Sequence, residues 1–111
     1  MKIKLNNVDS KIVKENSTYT LVDNTDLKNL VVSKTILHPM QETTGHKHDG
    51  QEEVYQFVSG HGVMDVGDNR GFRVHPGDVV LIPDGAFHRV YNRSKYEQLI
   101  FVCVFDGKRY H

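Results

Sequence analysis

Short apolar runs rich in Val, Ile, Tyr and Phe alternate with turn residues along most of the chain. They predict strands at Tyr19–Val22, Leu30–Leu37, Val54–Ser59, Val63–Val66, Gly71–Val74, Val79–Pro83, His88–Tyr91 and Leu99–Phe105. The punctuation is equally regular. Gly60-His61-Gly62 and Gly67-Asp68-Asn69-Arg70-Gly71 read as hairpin turns, and Pro76-Gly77-Asp78 and Pro83-Asp84-Gly85 are strong turn signals. Many short, closely spaced strands predict an all-β antiparallel sandwich or barrel. No stretch keeps a 3.6-residue apolar period, so one helical turn over Asp23–Asn29 is the most helix expected. Residues 1–18 are polar, with sparse apolar positions at Ile3, Leu5, Val8, Ile12 and Val13. They form an N-terminal arm that packs on the barrel, packs on a second subunit, or frays. The barrel core is expected over residues 30–105.

Length and charge narrow the function. At 111 residues and 12.7 kDa, residues 1–111 make one domain. Fourteen basic residues balance fourteen acidic ones, which argues against a nucleic-acid footprint. No apolar run reaches the roughly 18–20 residues of a membrane span. The opening Met1-Lys2-Ile3-Lys4-Leu5 has no apolar core of a signal peptide, so a cytoplasmic protein is expected. Asn16-Ser17-Thr18 and Asn92-Arg93-Ser94 are then chance sequons. The single cysteine, Cys103, lies within an apolar run and reads as a small buried hydrophobe rather than a reactive thiol. Two sheet faces with few helices to cover them, and a free strand-like arm, predict a homodimer.

Seven histidines are the unusual number. His46 and His48 stand two apart, so on extended backbone they project from one face. Glu53 opens the next strand beyond a turn at Gly50, and His88 follows the turn Pro83-Asp84-Gly85. A His-x-His pair alone is more often two solvated side chains than a metal site, and each other piece alone is ordinary. Their joint spacing carries the signal. His46-x-His48, four residues, Glu53, six residues and Gly60 reproduce the first motif of the cupin superfamily. Gly77, Pro83, Gly85, His88 and Asn92 match the second motif at every position. The one departure is Met40, where the first motif has its leading glycine.

This chain therefore resembles the cupins. The resemblance implies a single-domain, jelly-roll-like antiparallel barrel holding one divalent metal (Fe, Mn, Ni, Co or Zn) on His46, His48, Glu53 and His88. A four-ligand site keeps room for water or substrate only if the ion exceeds four-coordination, as Fe, Mn or Ni does readily. Strand alternation puts Tyr55 and Phe57 on the face of Glu53, and Val90 and Asn92 on that of His88. Tyr55 is then either a hydroxyl beside the metal or a barrel-wall aromatic. His38 is a further candidate for the cavity, while His61, His75 and His111 are expected outside it, and Arg73 and Arg89 face outward.

A finer similarity links Glu53-Val54-Tyr55, Gly60-His61-Gly62-Val63-Met64 and Pro76–Asn92 to the metal-dependent glucose-6-phosphate isomerases of archaeal type. This chain is much shorter, and the phosphate-binding residues of that family cannot be placed on it. The favoured expectation is a metal-dependent isomerase or lyase on a small hydroxylated, sugar-like substrate, with Tyr55 and Glu53 assisting proton transfer. The alternatives are an Fe-dependent dioxygenase and a non-catalytic sugar-binding or metal-sensing module.

Overall fold

The computed structural model describes residues 2–4, 11–47 and 49–107. Nine strands run through the described residues. They are β1 (Lys11–Glu15), β2 (Tyr19–Asn24), β3 (Leu30–Leu37), β4 (Glu53–Ser59), β5 (Gly62–Val66), β6 (Asn69–Val74), β7 (Val79–Ile82), β8 (His88–Tyr91) and β9 (Leu99–Asp106). A six-stranded sheet has the order β1-β2-β3-β9-β4-β7, and a three-stranded sheet has the order β6-β5-β8. Every pairing is antiparallel. The fold is the all-β antiparallel double-sheet architecture that the strand pattern predicts.

Period-two alternation decides what faces the core. Phe101 and Cys103 of β9, Tyr55 and Phe57 of β4, and Leu37 of β3 point in from the larger sheet. Met64, Val74 and Val90 point in from β5, β6 and β8 of the smaller one. These side chains form one buried cluster between the layers.

Two local outcomes depart from the sequence reading. The helical turn over Asp23–Asn29 does not form. Asp23 and Asn24 continue β2, and the Asn24 side chain turns the chain instead: its Oδ1 accepts the Asp26 N–H at 3.0 Å and its Nδ2 donates to Asp26 Oδ2 at 3.1 Å. Short polar side chains commonly compete with helix in this way. Within the arm, Lys11–Glu15 pairs with β2 as the edge strand β1. The hairpin between them closes on Asn16, whose Oδ1 accepts from the N–H groups of Thr18 and Tyr19 at 2.8 and 3.0 Å.

Met40 has φ = 63°, the only positive φ of a non-glycine residue among those described. The backbone at the position of the motif's leading glycine is thus left-handed, the region where a side chain is penalised. Gly60, which closes the first motif, also has a positive φ, and a Cβ there would collide with the Gln98 carbonyl.

Candidate metal centre

The segment between β3 and β4 positions the first ligand. It runs antiparallel along β8, as a ragged addition to the three-stranded sheet. Asn92 N–H donates to Gln41 O at 2.8 Å, and Thr43 N–H to Val90 O at 2.9 Å. The Thr43 hydroxyl oxygen accepts the Val90 N–H at 3.0 Å. His46 N–H donates to His88 O at 3.2 Å, and His88 N–H returns to His46 O at 2.9 Å. This register brings the two imidazoles together, with ring centroids 4.4 Å apart and ring planes at 68°.

Glu53, the first residue of β4, reaches them from the larger sheet. His88 Nε2 lies 2.9 Å from Glu53 Oε2, with the two side chains only 3% and 9% exposed. One ligand atom from each of His46, Glu53 and His88 falls within 4.8 Å of the others. His48, the fourth ligand implied by the motif, lies outside the described residues.

The donor chemistry fits a divalent transition ion. His46 Nδ1 is 2.9 Å from the Thr44 carbonyl, and His88 Nδ1 is 3.0 Å from the Ala86 carbonyl. A carbonyl only accepts, so each Nδ1 carries the hydrogen, and in a neutral ring the lone pair sits on Nε2. Backbone carbonyls fixing the tautomer in this way are characteristic of metal-ligating histidines. Two imidazole nitrogens and a carboxylate are the donor types of iron, manganese, nickel, cobalt or zinc sites.

Electrostatics around the centre are unequal. Burial lowers the pKa of His88, but the hydrogen bonds to Glu53 and the Ala86 carbonyl and the Glu53 charge outweigh it, and the net shift is upward. Burial above all, with the neighbouring Cys103 and the Glu53 charge adding to it, pushes the Tyr55 phenol well above its ordinary range. The Cys103 thiol is raised too, by burial first and then Glu53. Both groups keep their protons at neutral pH. Cys103 is buried, as its apolar run predicts.

A cavity of about 260 Å³ opens beside the centre. His46, Glu53 and Tyr55 line it, over a floor of Phe101, Cys103 and Phe105. Tyr55 and Phe57 share the inward phase of β4, as alternation predicts, and the Tyr55 ring stacks on Phe101 at 5.1 Å. His38 is not among the lining residues, because the buried phase at the end of β3 belongs to Leu37. His61 and His75 are exposed, Arg73 is exposed and Arg89 half-buried, while His111 lies outside the described residues. Asn92 is buried but structural: its Nδ2 donates to the carbonyls of Leu37, His38 and Glu97 at 3.0, 3.2 and 2.8 Å. Asp23, Ser33, Thr35, Thr43, Thr44 and Gln51 also line the cavity and were not anticipated. The alternation Ser33-x-Thr35 was the available signal, since both occupy the phase of Leu37.

Two antiparallel sheets with a His/Glu/His cluster beside a cavity define a double-sheet β protein with a candidate metal centre. A cupin-domain family profile matches residues 33–105, and the chain belongs to that family. The uncharacterized protein MJ1618 of Methanocaldococcus jannaschii is 35% identical over 75 residues, covering 68% of this chain and 53% of that one. The chain thus spans about half the length of that curated relative. Among solved structures, TT1209 of Thermus thermophilus superposes with a TM-score of 0.79 at 24% identity, covering 96% of this chain and 97% of that one. KdgF of a Halomonas species gives 0.76 at 15% identity, covering 96% and 94%. Both show the shared fold. The oxalate decarboxylase of Lactobacillus farciminis, in a formate complex, gives 0.76 at 26% identity, covering 87% of this chain and 31% of that one.

Proposed function

We propose that the protein is a divalent-metal-dependent isomerase or lyase acting on a small hydroxylated, sugar-like substrate. The observation that carries this reading is the opening of the His46/Glu53/His88 cluster onto a cavity ringed by hydroxyl side chains, with Tyr55 beside Glu53. A divalent ion held there would polarise a substrate oxygen as a Lewis acid. Glu53, His46 and His88 hold the ion, with His48 as the fourth ligand that the motif implies. Ser33, Thr35, Thr43 and Thr44 offer hydrogen bonds that orient a polyol. Tyr55 keeps its proton and so serves as a donor to a substrate oxygen on which negative charge develops, rather than as a base. The isomerase half rests on the sequence similarity of Glu53-Val54-Tyr55 and Gly60–Met64 described above. The lyase half draws on the decarboxylase relative.

The test is turnover of sugars and sugar acids by metal-loaded protein, with oxygen consumption recorded alongside. Conversion without oxygen uptake is expected. Tyr55→Phe should lower turnover about 10²–10³-fold with metal content intact, the usual loss for one transition-state donor. Stoichiometric oxygen consumption would establish the dioxygenase alternative, and binding without conversion the non-catalytic one.

The assembly we propose is a cytoplasmic homodimer. The outward row Leu81–Val54–Val104–Val32 crosses β7, β4, β9 and β3 in register, and Leu81 is 70% exposed. A row of this kind favours pairing with a second copy. Light scattering should report a dimer that Leu81→Glu dissociates; a wild-type monomer at high micromolar concentration would refute it. No helix among the described residues is long and apolar enough to cross a membrane.

A further inference from the structure

The cavity holds more chemistry than the ligand set uses. At about 260 Å³ it lies just under the roughly 300–1,000 Å³ of typical small-molecule sites, so its ligand is small. The wall away from Glu53 is built by β2 and β3. There Asp23 pairs in register with Ser33, and Ser33 Oγ donates to Asp23 Oδ1 at 2.6 Å. The row Asp23–Ser33–Cys103–Tyr55 then crosses β2, β3, β9 and β4, and all four residues line the cavity. Asp23 is thus three strands removed from β4, which carries Tyr55 and Glu53.

Gln51 closes another side. It is 4% exposed, its Nε2 donates to the Asp106 carbonyl at 3.0 Å, and its Oε1 is buried with no hydrogen-bond partner among the described residues. A buried acceptor is costly to leave unsatisfied, and Gln51 is one of the residues lining the cavity. It asks for a donor from the ligand. Among the described lining residues there is no lysine and no arginine. Apart from the metal centre, this wall offers acceptors and hydroxyls, and nothing to neutralise an anion.

We propose that Asp23 and Gln51 select the substrate: it presents hydroxyl donors to both and carries at most one anionic group, the one facing the metal. This deepens the hydroxylated-substrate reading above and rests on it. A second carboxylate or a phosphate at this wall would stand against the Asp23 carboxylate with no cation between them. In a half-enclosed cavity that repulsion is poorly screened. A hydroxyl at the same place donates to Asp23 instead, while Ser33 holds the carboxylate in orientation.

A matched six-carbon series tests it. D-glucitol, D-gluconate and D-glucarate share one hydroxylated chain and carry zero, one and two carboxylates. Dissociation constants for metal-loaded protein are measured by calorimetry and ligand-observed NMR. Wild-type protein should bind D-gluconate about tenfold or more tighter than D-glucarate. Asp23→Asn should bring that ratio close to one with metal content unchanged. Gln51→Met should weaken D-glucitol and D-gluconate alike. D-glucarate binding as tightly as D-gluconate to wild type, or an unaltered ratio in Asp23→Asn, overturns the proposal and leaves the hydroxylated-substrate reading standing. Undiminished binding in Gln51→Met removes Gln51 from it. Binding of none of the three overturns the hydroxylated-substrate reading itself. The wild-type ratio decides without either variant.

Discussion

His46 and His88 are 42 positions apart in sequence, yet each accepts the other's backbone N–H, at 3.2 and 2.9 Å. The two ligands are therefore set by a main-chain register and not by side-chain packing alone. Their Nδ1 atoms face the carbonyls of Thr44 and Ala86, two residues back in each case. The same local device is used twice, once on each side of the register.

Metal binding should follow this geometry. One divalent ion per chain is expected. His88→Ala, or His46→Ala combined with His48→Ala, should abolish stoichiometric binding by elemental analysis. Imidazole ligates only when neutral, so affinity should weaken between about pH 7 and pH 5. Equal metal content in the double variant would refute the ligand set.

Asn92 should prove structural. Its Nδ2 serves the consecutive carbonyls of Leu37 and His38 and the distant one of Glu97, and its Oδ1 accepts the Ser94 N–H at 3.0 Å. Asn92→Ala strands buried acceptors and should cost about 2–3 kcal/mol in urea unfolding. Metal affinity per folded molecule should hold. A loss below about 0.5 kcal/mol would contradict the role.

Asp65 links stability to acid. The Tyr91 hydroxyl donates to its Oδ2 at 2.7 Å and the Gly71 N–H to its Oδ1 at 2.7 Å. The Tyr91 bond is the largest cause of a depressed pKa; burial opposes it, and Gly71, Arg70 and Arg89 reinforce it. A folded-state pKa below the unfolded value stabilises above the unfolded value, near 3.9, and this is lost as pH falls through the folded one. Asp65→Asn should therefore be less stable at pH 7 and show a shallower loss on acidification. Parallel acid limbs for wild type and variant would exclude the linkage.

Met40 occupies a left-handed backbone position and is 59% exposed, so its side chain contributes little packing. Met40→Gly removes a strain of about 1–2 kcal/mol and adds about 0.5–1 kcal/mol of unfolded-state entropy. A gain of about 0.5–1 kcal/mol is expected on balance, read as a raised Tm. A lowered Tm would show that the methionine packs usefully.

Eight of the nine strands were legible because turn residues and period-two alternation agree along those stretches. The edge strand β1 was not. Lys11-Ile12-Val13-Lys14-Glu15 mixes charge with apolar residues, and its pairing slips between Ile12 and Lys14. Charge and irregularity are what protect a sheet edge, and in sequence they look like loop. The cluster of His46, Glu53 and His88 was legible because the spacing of these residues along the chain is itself the signal. The rest of the cavity was not, because its wall is assembled across strands: Asp23 meets Ser33, and Ser33 meets Cys103, only through pairing between distant segments. Ser33 and Thr35 also look like a solvent face until β9 pairs with β3 and shows which phase turns inward.

The three ligands come from both layers of the fold. His88 lies on β8, His46 is stitched to it, and Glu53 starts β4 of the opposite sheet. An ion seated there is a rivet through two plates. Its binding free energy resists their separation, and stabilisation grows with the logarithm of free metal above the dissociation constant. Metal supply would then set how long a molecule survives. Starved cells would lose the protein by unfolding and proteolysis, and its abundance would report the availability of the ion.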